Sequence, residues 1–80
     1  MDTDNLIVMV NRIGAFFEAQ PDRDEALAGI AEHIRKFWVP QMRREILAAV
    51  GTESGAGISE IVAAALTTHR AQLEPAAAQA

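Results

Sequence analysis

Pro21-Asp22-Arg23-Asp24-Glu25-Ala26-Leu27-Ala28-Gly29-Ile30-Ala31-Glu32-His33-Ile34-Arg35-Lys36-Phe37 spells out a helix with both ends marked. Pro21 stops whatever precedes it. Asp22 and Glu25, three residues apart, have the form of a capping box with Asp in the usual Ser/Thr place. Asp24 and Glu25 fall in the first turn and Arg35 and Lys36 in the last, the ends at which the helix dipole favours each sign. Between them Leu27, Ile30, Ala31, Ile34 and Phe37 recur at spacings of three and four, which puts them on one face. That stripe assigns Phe37 to the core.

On the N-terminal side, a first helix is predicted from just after Thr3 or Asp4 to about Ala19. Its apolar face is Leu6, Met9, Val10, Ile13, Phe16 and Phe17, widened by Ile7 and Val8. A face this wide predicts contact on two sides. Asn11 and Gly14 interrupt the second side, and Gly14 lets another element approach closely. On the C-terminal side, Pro40 disfavours helical geometry at Val39 but suits the first turn of a new helix. A third helix from Pro40 to Val50 buries Met42, Ile46, Leu47 and Val50, and Gly51 stops it. Thr52 to Gly57 has loop composition. A fourth helix runs from Ile58 or Ser59 to Leu73, with Ile58, Ile61, Val62, Ala65, Leu66, His69 and Leu73 on one face, and Pro75 closes it. No period-two alternation survives. The expected fold is all-α, a small bundle of about four short helices with a flexible C-terminal tail. Residues 1–74 form one helical domain and residues 75–80 a disordered, Ala-rich tail.

Composition narrows the function classes. Of 80 residues, 50% are apolar and 22% charged, the balance of a globular chain rather than a disordered one. The run Leu6–Val10 is too short to span a bilayer, and Asp2 and Asp4 stand where a secretory signal would be basic. There is no cysteine, hence no disulfide, thiolate metal site or iron–sulfur ligand set in this chain. A cytoplasmic location is the expectation. A core this small often needs a staple, and with neither disulfide nor metal the remaining one is a partner; ideal helix packing is the alternative.

Catalysis finds no constellation to rest on. His33 and His69 stand on different helices, Ser54 and Ser59 lack a nucleophile-elbow context, and the Asp22, Asp24 and Glu25 cluster is accounted for as helix-start charge. Four short helices with an arginine pair invite comparison with a helix-turn-helix. The net charge of −4 and the bulky aromatics beside those arginines argue against nucleic acid.

The segment Phe37-Trp38-Val39-Pro40-Gln41-Met42-Arg43-Arg44 joins the only tryptophan to a proline stop and two arginines. Aromatic residues and Arg are enriched where proteins meet. Residues 35–44 carry four cations and no acid, a local basic face suited to an acidic protein surface. Trp38 fits core and interface equally well. Trp38, Pro40, Met42, Arg43 and Arg44 are the candidate partner-binding residues; no residue is assigned to catalysis, cofactor or metal. Arg43 and Arg44 diverge by about 100° around a helix, so only one of them readily reaches a given carboxylate.

From Asn5 to Val50 the chain resembles the delta subunit of soluble, molybdenum- or tungsten-containing, NAD-dependent formate dehydrogenases. The resemblance rests on Met9-Val10-Asn11-Arg12-Ile13, Phe16-Phe17, Pro21, Glu25-Ala26 and Gly29-Ile30-Ala31. It continues through His33-Ile34 and Phe37-Trp38 to Pro40 and Met42-Arg43. Val39 and Gln41 depart from the family pattern, which has a polar or acidic residue and an arginine there. The resemblance implies a non-catalytic accessory subunit that binds the large alpha subunit and, through it, the beta and gamma subunits. Molybdopterin (with Mo or W), iron–sulfur clusters and FMN would sit in those other subunits, with no nucleic acid and no membrane involved. The implied role is assembly or stability of the enzyme. A maturation chaperone for cofactor insertion, not retained in the finished complex, is the alternative, and a small transcriptional regulator a third.

Overall fold

The computed structural model describes residues 2–75. Helix α1 spans Thr3–Glu18, α2 Arg23–Phe37, α3 Pro40–Ala49, α4 Glu60–Thr68 and α5 Arg70–Leu73, with a 3₁₀ turn at Glu53–Gly55 between α3 and α4. The chain is all-α among the described residues, as expected. Residues 76–80, most of the anticipated tail, lie outside them.

Helix α2 sits at the centre, packed against α1, α4 and α5, while α3 leans on α1 and the 3₁₀ turn. It follows its sequence signals closely. The Asp22 carboxylate accepts from the Glu25 amide at 3.2 Å, and Ala26, Leu27, Ile30, Ala31 and Ile34 are buried. Glu32 lies on the outer side of this helix, and its carboxyl is held below the ordinary glutamate range. The main cause is the hydrogen bond from Arg35, with the charges of Arg35 and Lys36 adding to it.

Helix α1 starts earlier than expected. Asp2 is its cap, accepting from the Asn5 amide at 2.8 Å, because the Thr3 hydroxyl is committed elsewhere and donates to Glu45 of α3 at 2.8 Å. Its rotation also differs. Leu6, Ile7, Val10 and Gly14 are buried, Met9, Ile13 and Phe17 only partly, and Phe16 lies outside the core. The cause is the close crossing at Gly14. A Cβ there would lie 2.5 Å from Val62 Cγ2 of α4, so the Gly14 side faces inward and Phe16 turns out.

The expected fourth helix is two. His69 takes φ −109° and ψ 26°, which breaks the helix between α4 and α5. Thr67, Thr68 and His69 are weak helix formers, and the break lets α5 pack on α2 with Leu73 fully buried. His69, placed on the buried face by spacing, is only half-buried. The Thr52–Gly57 loop is also more ordered than its composition suggested, since it holds the 3₁₀ turn.

Helix α4 borrows its cap from another element. Ser59 makes no side-chain capping bond. Instead Asn11 of α1 accepts from the Ser59 amide and donates to the Gly57 carbonyl, both at 2.9 Å. The polar residue that interrupts the apolar face of α1 is therefore a clamp on the start of α4. Asn11→Ala should cost about 1–3 kcal/mol, the range for leaving such groups without partners. Amide exchange at Ser59 is expected to accelerate more than at Ile30 or Ile34; equal protection at all three would show that Asn11 carries no such role.

Candidate protein-binding surface

Trp38 follows the last residue of α2 in extended geometry, φ −98° and ψ 131°, so it leaves the helix and turns inward. It is 6% exposed and belongs to the core cluster. Its neighbour Phe37, the last residue still on the helix, is 70% exposed. The stripe assignment of Phe37 to the core is therefore corrected. Phe37 is the last residue of the helix, and the indole that follows it, in extended geometry, takes the core position.

Beyond Trp38 the corner opens to solvent. Val39, Pro40 and Gln41 are exposed, and Pro40 occupies the first turn of α3, where its missing N–H costs nothing. Met42 packs partly against the core. Arg43 is half-buried and donates through Nη1 to the Arg35 carbonyl at 3.3 Å. It thereby satisfies an orphan carbonyl in the last turn of α2. Arg44 is exposed. Of the five residues singled out by sequence, Pro40 and Arg44 thus face solvent fully, and Trp38 holds the corner from inside.

A different group forms an exposed apolar surface. Phe16 is 71% exposed, with its ring edge-on to Phe17 at 5.1 Å between centroids. The Phe17 ring lies against α2 where Gly29 has no side chain; a Cβ at Gly29 would stand 2.5 Å from it. The His33 ring lies tilted against Phe37, with 4.9 Å between centroids and 46° between planes. Ile13, Phe16, Phe17 and His33 line a shallow hollow of about 250 Å³ between these rings. An aromatic strip thus crosses from the end of α1 to the end of α2. Sequence reasoning missed it, although one signal was available. Phe16-Phe17 and Phe37-Trp38 are doublets, and two adjacent side chains on a helix point about 100° apart, which sets one ring of a bulky pair toward the edge of the buried face.

Charge adds an asymmetry. Arg23, Arg35, Lys36 and Arg70 each pair with a carboxylate. Arg12, Arg43 and Arg44 have no such partner among the described residues. No cluster of three or more His, Cys, Asp or Glu able to hold a metal ion occurs among them. Nor is any of their helices long and apolar enough to cross a membrane.

Residues 5–66 match the family of the NADH-dependent formate dehydrogenase delta subunit FdsD. The chain belongs to that family. The match covers α1 to most of α4, and so contains the whole aromatic strip and the Trp38–Arg44 corner. The chain has no cysteine with which to ligate an iron–sulfur cluster of its own. No curated protein and no solved structure matches the chain.

Proposed function

We propose that this chain is a non-catalytic accessory subunit of a cytoplasmic NAD-dependent formate dehydrogenase. In this reading it docks on the large molybdopterin- and iron–sulfur-containing subunit and, through it, joins the beta and gamma subunits. The observation that carries the reading is the pair of exposed phenylalanines on a chain of the delta-subunit family. Removing each such ring from water on docking would contribute about 1.5–3 kcal/mol, enough for the strip to dominate an interface. Two and three residues after Phe37 in the chain, Val39 and Pro40 add exposed apolar area at the corner. Pro40, Met42, Arg43 and Arg44 are proposed to border the contact, with Trp38 positioning them from within. The chain would act by covering apolar surface of the large subunit, and so favour its assembled form by mass action.

Affinity purification of the tagged chain from its native cytosol tests this. A formate- and NAD-active complex holding the chain and the large subunit in fixed ratio is expected. Active enzyme without the chain, and capture only from cells blocked in cofactor insertion, would replace the stable subunit by a transient maturation factor. Unchanged formate oxidation and cofactor content after deletion of the chain would sink both.

A further inference from the structure

We infer that the aromatic strip receives a helical segment of the large subunit that carries a bulky apolar side chain and, one turn away, a carboxylate. The inference rests on the accessory-subunit reading and specifies the chemistry of its docking face. The hollow between Ile13, Phe16, Phe17 and His33 holds about 250 Å³, below the range of small-molecule sites and right for one large aliphatic or aromatic side chain. Its lining is apolar apart from the His33 ring.

The carboxylate follows from charge. Arg12 is exposed and lies four residues before Phe16, on the same face and one turn away. It has no carboxylate partner among the described residues. The acids of α1, Asp4 and Glu18, lie about 120° and 160° around the helix from Phe16, counting 100° per residue. On α2, Glu32 is already engaged by Arg35 and Lys36. Beside Phe16 the strip therefore has one unpaired cation, Arg12, while Asp24 and Glu25, acids also unpaired among the described residues, lie in the first turn of α2, about two turns before His33. A partner helix with its anchor and acid at positions i and i+4 reproduces the rise of about 6 Å between Arg12 and Phe16.

The test uses the full chain, the large subunit purified from cells lacking the chain, and 20-residue peptides tiling that subunit. Phe16→Ala, Phe37→Ala and Arg12→Glu change exposed side chains, so circular dichroism and melting should match the wild type. Phe16→Ala and Phe37→Ala should each weaken binding of the large subunit tenfold or more. Arg12→Glu should weaken it about threefold to tenfold and flatten its salt dependence. The peptides that bind should combine an apolar anchor with an acid, and changing that acid to lysine should favour the Arg12→Glu chain over the wild type. Equal binding of wild type and all three variants would overturn the docking face and leave the subunit reading standing. A large subunit that ignores the wild-type chain would overturn both. A concentration-dependent dimer abolished by Phe16→Ala would assign the strip to a second copy of the chain, and so overturn the inference as well.

Discussion

Trp38→Ala is expected to abolish the fold rather than a surface contact. The indole is packed in the core at the point where α2 hands over to α3, and truncating a buried Trp to Ala costs about 3–5 kcal/mol through lost transfer energy and an unfilled cavity. Chains of this size have little to spare, since a single core below about 70–80 residues seldom supplies more than 3–5 kcal/mol. The helical circular dichroism signal at room temperature should therefore collapse. A milder variant, Trp38→Phe, should keep the fold and melt lower, at about 4–8 °C per kcal/mol lost. Retention of full helicity and a melting point within about 5 °C of wild type by Trp38→Ala would place the indole outside the core. Loss of partner binding by this variant says nothing about an interface, which is why exposed Phe37 is the informative aromatic at this corner.

Gly55→Ala should produce the second largest effect, and for a local reason. The 3₁₀ turn folds back over the end of α3, where the Thr52 hydroxyl donates to the Ala49 carbonyl at 2.6 Å. Gly55 passes so close to that peptide that an added Cβ would overlap the Ala49 carbonyl oxygen and lie 2.7 Å from its carbon. The obstruction is backbone, so it cannot be relieved by a rotamer change, and about 1–3 kcal/mol or more is the usual cost of such overpacking. Gly51 makes the contrast. It has a positive φ of 81°, but nothing lies within 4 Å of an added Cβ, so Gly51→Ala bears only the left-handed backbone cost of about 1–2 kcal/mol. Thermal melts should rank wild type above Gly51→Ala and Gly51→Ala above Gly55→Ala. Exchange protection of the Ala56 and Ile58 amides should be lost in the Gly55 variant alone. A Gly55 variant as stable as wild type would mean that the turn can lift off α3 without cost.

Where the chain's signals are chemical and local, they sufficed. The Asp22 cap, the proline at the start of α3 and the left-handed Gly51 all appear where residue type demanded them. Periodicity alone did less well. The apolar spacing from Ile58 to Leu73 is continuous, yet the structure breaks at His69, because a break between turns leaves the spacing pattern intact while reorienting α5. The rotation of α1 was decided by the approach of Val62 to Gly14, a contact between residues 48 apart that no window along the chain contains. The candidate surface was legible only as a concentration of aromatic and basic residues. Which ring of each doublet turns outward depends on where a helix ends and what crosses it, and both are tertiary facts. The partners of Asn11, at Gly57 and Ser59, were invisible for the same reason.

The position of Trp38 also makes the chain its own optical probe. With one tryptophan and no tyrosine, nearly all of its near-ultraviolet absorption and emission comes from a single indole, enclosed among apolar side chains and on the opposite side of a peptide bond from the exposed Phe37. Its emission should be blue-shifted in the folded chain and should move to the red only when the core opens. A ligand on the strip of phenylalanines would quench little of it. The same indole that reports denaturation faithfully is therefore nearly blind to association.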